Sequence, residues 1–142
     1  MDRSPAALPE FPSGLVAVLA TVAPDGPSAI PVSAVHRAGD REVLFALAHH
    51  RGSLGRLRAD PRAALTLVGT GFAVVARGEA AVVADPLPGA EFVTGLRFTA
   101  TDIGDAIGLS TVVHGGIRWG WRDAASARRH RQVLAALRAL AG

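Results

Sequence analysis

Apolar positions along this chain fall into short runs separated by glycine, proline and aspartate, the punctuation expected of β-structure. Residues 14–22, GLVAVLATV, are apolar almost without a break and rich in branched side chains, so they predict a strand covered on both faces. Pro24, Asp25-Gly26 and Pro27 then signal a turn, and AIPVSAVH, 29–36, reads as the returning strand. Pro31 has no backbone donor, which places that strand at a sheet edge or a bulge. RAGDR, 37–41, is a second turn and EVLFALA, 42–48, a third strand, so the chain is expected to open as a three-stranded antiparallel meander.

The pattern then changes period. SLGRLRAD, 53–60, offers Ser53 as an N-cap, Leu54 and Leu57 three apart, and Pro61 as a stop, which predicts a short helix. Strands return at 62–69, RAALTLVG, and at 72–84, FAVVARGEAAVVA, where Gly78 marks a bend. DPLPGAEFVTGL, 85–96, predicts a short helix opened by proline, and no element is assigned to 97–109. STVVHGGIRWGW, 110–121, predicts two strand pieces about a Gly115-Gly116 turn. The end, 123–142, is a helix: Val133, Leu134, Leu137, Leu140 and Ala141 make one apolar stripe, with Arg128, Arg129, Arg131 and Arg138 mostly off it. The sum is a mainly β fold of six to seven strands, a small barrel with short inserted helices and a C-terminal helix. Its expected organisation is an N-terminal segment over 1–13, the barrel over 14–122, and the helix over 123–142 packed on the same domain. An alternating βαβ pattern, a GxGxxG loop and a Walker loop are all absent from the sequence, which argues against the nucleotide folds that use them.

Composition narrows the chemistry more than the fold. With 142 residues the chain is long enough for one domain with a real core. It contains no cysteine, so neither a disulfide framework nor a thiolate metal site is available, and a cytoplasmic location is expected. The first residues, Met1-Asp2-Arg3-Ser4-Pro5, do not resemble a secretion signal, and no run reaches the roughly 18–20 apolar residues that span a membrane. The net charge is only +3, and all fifteen basic side chains are arginines. That balance gives little reason to expect nucleic acid. Arg128, Arg129, His130 and Arg131 are read as the wet face of a helix, since no aromatics interleave with them as a single-strand binder would require.

Several residues invite chemical readings. Adjacent His49 and His50 are read as lining a pocket mouth, because neighbouring histidines seldom ligate one ion and no carboxylate lies at a helpful spacing; no metal site is expected. Whether His36 and His114 meet in space is left open by the sequence. Trp119 and Trp121, two apart, either pack beneath the C-terminal helix, the favoured reading, or border a pocket, with Trp119 the better candidate for that role. No nucleophile–base constellation can be nominated, so the catalytic residues stay unknown.

The order LATVAPDGPSAIPVSAV, EVLFALAHHRGS and LRADPRAALTLV resembles the pyridoxamine 5'-phosphate oxidase-like, FMN-binding split β-barrel superfamily. The resemblance covers 15–69 well; 70–121 agrees in element order without a motif. It implies a split barrel and an obligate homodimer holding one flavin per site at the interface, with no membrane partner. The ring edge would lie at Pro31, Val32 and Ser33, and the phosphate loop would run from Leu47 through Ala48 and Arg51 to Ser53. Counted back from Asp60-Pro61-Arg62, the family's threonine falls on Leu47, its phosphate-loop serine on Arg51, its lysine on Ser53 and its helix asparagine on Arg56. Aligning Gly52-Ser53 to the family's own Gly-Ser instead removes two residues from the helix, and no lysine exists in either register. Arg51, Ser53 and Arg56 would then substitute, a guanidinium gripping phosphate at two points. The implied activity is that of an FMN-dependent oxidoreductase acting on an unknown small molecule. Pyridoxamine phosphate oxidation itself is not expected. The alternatives are an F420-binding reductase of the same fold, or a non-catalytic barrel binding another ligand such as haem.

Overall fold

A computed structural model describes residues 7–142; the first six residues of the expected N-terminal segment, and with them the reading of the first five as unlike a secretion signal, lie outside it. In chain order the elements are β1 (Ala17–Ala23), β2 (Gly26–Val32), β3 (Val35–Arg37), β4 (Glu42–Ala48), α1 (Gly52–Ala59), β5 (Arg62–Gly69), β6 (Phe72–Ala84), β7 (Val93–Asp105) and α2 (Ala124–Ala141). All seven strands join one antiparallel sheet in the order β2-β1-β5-β6-β7-β4-β3. The fold is mainly β, curled into a half-barrel, with one inserted helix and one C-terminal helix.

The expected opening meander is corrected here. β1 and β2 form the hairpin that the Asp25-Gly26 turn dictates, with Ala23 opposite Gly26, but the returning strand expected over 29–36 breaks after Val32, and only its second piece, β3, pairs with β4. β2 and β3 are the two edges of the sheet, although only Ser33 and Ala34 separate them in the chain. Three virtual bonds span at most about 11 Å, so the edges must meet at that end while the sheet stays open along the rest. Pro31 sits on β2, an edge, where its missing donor costs no ladder bond.

Burial explains the two kinds of apolar run. β4 is buried on both faces: Val43, Phe45 and Leu47 point into the barrel with Leu19, Leu65 and Phe98, while Leu44 and Ala46 pack under α2 against Val133 and Leu137. β1, which the sequence led us to expect covered on both faces, buries only Ala17, Leu19 and Thr21. Its outward residues Val18, Ala20 and Val22 stay half-exposed in this single chain. The register carries that face onward through Ala64 and Thr66 to Val75, and on the other side to Ala29 and Pro31.

Two further expectations fail for visible reasons. Residues 85–92 form a tight reversal, not a helix: Leu87 and Ala90 make an isolated bridge, Gly89 has φ +89, and Pro86 and Pro88 cannot sustain helical bonding. β7 then starts at Val93 and runs thirteen residues through the stretch to which no element was assigned. Residues 106–122 form no strand; they make an irregular arm attached near the β5–β6 turn, where Gly71 N donates to the Val113 carbonyl at 2.9 Å. Gly78 does mark a bulge, as its place in a long strand suggested: the register shifts between Arg77 and Gly78, and a Cβ there would fall on the Thr99 carbonyl.

Candidate functional site

Where the sheet edges meet, a cleft of about 400 Å³ opens, within the range of small-molecule sites. One wall is the barrel: Pro31 and Val32 at the end of β2, Ser33 and Ala34 in the crossover, and Ala46, Leu47 and Ala48 at the end of β4. The other is the arm and α2, which contribute Trp119, Trp121, Ser126, Arg129, His130 and Val133. Phe92 and Val93 close the gap between the walls, and Arg51 stands at the foot of the barrel side.

Arg51 is placed by backbone logic. Its N–H donates to the Ala48 carbonyl at 3.0 Å and its own carbonyl accepts from Leu54 N at 3.1 Å, so it is the N-cap of α1. The expected cap, Ser53, lies one step inside the helix and is only 3% exposed. No side chain caps α1, so its positive end stays open beside the Arg51 guanidinium. Arg56 points elsewhere. Its guanidinium folds back over Gly52, where a Cβ would lie 3.2 Å from Nη1, and it lines a separate cleft with Val22, Ala23 and Pro24. Seven of the nine residues nominated from the sequence thus line one cleft (Pro31, Val32, Ser33, Leu47, Ala48, Arg51 and Trp119), whereas Ser53 and Arg56 do not reach it.

The histidine pair serves the scaffold. His49 Nε2 lies 2.9 Å from the Glu91 carbonyl, which can only accept, so Nε2 carries the proton. Nδ1 lies 2.8 Å from the Thr94 hydroxyl, which itself donates to Asp85 Oδ1 at 3.4 Å. This ties the loop before Arg51 to the start of β7, and Arg58 meets Asp85 at 2.7 Å beside it. His49 therefore borders a neighbouring cleft rather than this one, and His50 is exposed. His36 is held by Ser13 Oγ at 2.7 Å on β3, while His114 sits on the arm, its carbonyl facing the Thr70 hydroxyl.

Of the second wall only Trp119 was anticipated. Trp119 and Trp121 do not pack beneath α2: they are 47% and 44% exposed and face the cleft. Trp121 stacks on His130 with ring centroids 4.5 Å apart at 34°. His130 belongs to the buried stripe of α2, in phase with Leu134 and Leu137, and that periodicity was the available signal. Gly14 makes room for it, since a Cβ there would come within 3.3 Å of His130 Nε2 and its φ of +89 suits only glycine. Burial pushes the His130 imidazole below its ordinary pKa, favouring the neutral ring. Arg129 donates to Ser126 Oγ at 3.1 Å. Arg51 and Arg129 have no carboxylate partner among the described residues, and no acid lines the cleft. The site is an apolar slot with two cationic poles.

Residues 5–113 match the family model described as pyridoxamine 5'-phosphate oxidase. Among solved structures, a candidate pyridoxamine 5'-phosphate oxidase from Lactobacillus delbrueckii is 15% identical, with 72% of this chain and 97% of that one covered at a TM-score of 0.59. An F420 reductase is 17% identical over 63% of this chain and 89% of its own, TM-score 0.56. An FAD-binding protein from Mesorhizobium loti is 15% identical over 63% and 82%, TM-score 0.52. At such identities these likenesses establish the fold alone. No curated protein matches the sequence. Among the described residues, no helix is long and apolar enough to cross a membrane.

Proposed function

The chain belongs to the pyridoxamine 5'-phosphate oxidase family, and from that premise we propose that the cleft binds a flavin, FMN, and that the protein is an oxidoreductase acting on a small organic molecule in the cytoplasm. The observation that carries this reading is the arginine at the open end of α1, beside an apolar slot free of carboxylates. The slot suits a group with an anionic tail and a flat apolar body. Arg51 takes the phosphate, its guanidinium offering a two-point grip in a chain that has no lysine. Pro31, Val32 and Leu47 flank the ring and keep water from it, and the Ser33 hydroxyl, largely buried beside them, offers a polar contact at the ring edge. The bound isoalloxazine supplies the redox chemistry. The neighbour named as an F420 reductase keeps a deazaflavin as the alternative cofactor.

The working unit we propose is a homodimer. The apolar run of β1 promises two covered faces, and this chain covers one. Val18, Ala20, Ala64, Thr66 and Val75 form a small-residue sheet face ending at Pro31, on the rim of the cleft. A second copy seated there covers both faces and places the cleft at the interface. Placing a charge at the centre of that face, Thr66→Arg, is expected to yield monomers by sedimentation; a dimer that survives it rejects this surface.

The cofactor test is direct. Absorbance of the purified protein, followed by calorimetric titration with FMN and with F420, identifies the ligand. Arg51→Ala is expected to weaken FMN binding about ten- to hundredfold, the loss appropriate to a charge-assisted phosphate contact. FMN affinity that is unchanged in a folded, dimeric Arg51→Ala protein removes the proposed phosphate site.

A further inference from the structure

One pole of the cleft is used by a cofactor tail; the other remains. Arg129 enters from α2, and its recorded side-chain bond goes to the neutral Ser126 hydroxyl. Asp123, six residues earlier, feels the Arg129 charge, but its carboxylate is held at Ser126 N, 2.7 Å away, as the cap of α2. By contrast Arg37, Arg58 and Arg62 each meet a carboxylate within 4 Å. Lining the same cleft, the indole of Trp121 presents a flat surface and packs against the His130 ring. An aromatic face and a guanidinium with no carboxylate within 4 Å among the described residues, lining one cleft, suit a specific chemical shape: a flat conjugated body carrying an anionic group.

We propose that the α2 wall is the substrate subsite and that the substrate is a planar organic acid, with its carboxylate on Arg129 and its ring against Trp121. This rests on reading the cleft as the cofactor site, since it assigns the pole that the cofactor leaves. Arg129 and Trp121 belong to the arm and the last helix, while Arg51 belongs to the barrel. The two ligands are therefore recognised by separate parts of the chain, and each can be removed alone.

The chain supplies its own reporter. It has two tryptophans and no tyrosine, and both tryptophans line this cleft, so intrinsic emission reads the site and little else. The probes are benzoate and its uncharged counterpart benzamide, titrated by fluorescence into the cofactor-free protein and by calorimetry into the FMN-saturated protein. Saturable benzoate binding is expected in at least one form, about tenfold tighter than benzamide, because the amide forfeits the charged contact. Arg129→Ala, an exposed helix position, is expected to lose that tenfold while leaving FMN affinity and the helical signal unchanged. Arg51→Ala is expected to leave benzoate affinity unchanged. The proposal is overturned if benzoate binds neither form, if benzamide binds as tightly, if Arg129→Ala changes nothing, or if Arg51→Ala abolishes benzoate binding. Arg129-dependent benzoate binding in a protein that takes up no FMN keeps the acid subsite and rejects the flavin reading. FMN uptake through Arg51 without benzoate binding does the reverse.

Discussion

Arg51 and Arg129 reach one cleft from scaffolds of opposite kind. Arg51 follows β4, which has a hydrogen-bonded strand on each side, is buried on both faces, and continues into a loop that His49 bolts to β7. Arg129 rides on a helix reached through a seventeen-residue arm, 106–122, which is tied to the sheet by Ala106 N on the Ala73 carbonyl and by the Gly71 and Thr70 contacts near its middle. The arm carries Leu109, Val112 and Ile117 in the open and holds no ladder bonds. The barrel side is built to hold a geometry. The arm side has fewer such ties, and α2 packs on β4 through a smaller cluster.

That contrast predicts unequal costs. Phe98 has no exposed surface and sits at the centre of the barrel between β6 and β4, so Phe98→Ala is expected to cost about 3–5 kcal/mol in denaturant unfolding. Leu137 is equally buried, but in the smaller cluster beneath α2; Leu137→Ala is expected to cost about 2–4 kcal/mol and to quicken amide exchange in α2 more than in β4 or β7. Should Leu137→Ala prove the costlier change, or speed exchange equally throughout the sheet, the barrel and the helix wall form one unit and the contrast fails.

The same division governs what the sequence made legible. From β4 through β6 each element is specified locally: EVLFALA, RAALTLVG and FAVVARGEAAVVA are bounded by turn residues, and the observed strands coincide with them. The break of the expected 29–36 strand into β2 and β3, on opposite edges of the sheet, was not legible, because only the closing of the sheet decides it. Past residue 84 local signals mislead. Pro86 and Pro88 look like the start of a helix but enforce a reversal, and β7 is written as Phe98 and Ala100 inward with Thr99 and Thr101 outward, a weak alternation ending in Asp102. At the site, the barrel residues could be nominated because a family pattern runs through them. Arg129 looked like one arginine in a solvated run, and nothing local says that the arm brings Trp121 across to meet it.

Acid sharpens the comparison with a smaller effect, since the two histidines concerned keep part of their surface in water. His36 on β3 and His130 on α2 both titrate below the ordinary 6.5, His36 because burial, and then the Arg138 charge, disfavour its cation, and His130 because of burial. An unfolded chain therefore binds protons that the folded one refuses. Stability is complete above pH 6.5 and declines as the pH falls from there through the lowered folded values. Unfolding midpoints measured across that interval are expected to drop, less steeply in His36→Asn or His130→Asn and least in the double variant. The two sites separate by emission. In Trp119→Phe the remaining indole, Trp121, lies against His130, so protonation of that ring should alter its emission with a midpoint below pH 6.5, and His36→Asn should not move the midpoint. A midpoint at or above 6.5 in the unliganded protein would show that the imidazole is not shielded, and the α2 wall would then be a wet surface rather than a binding one.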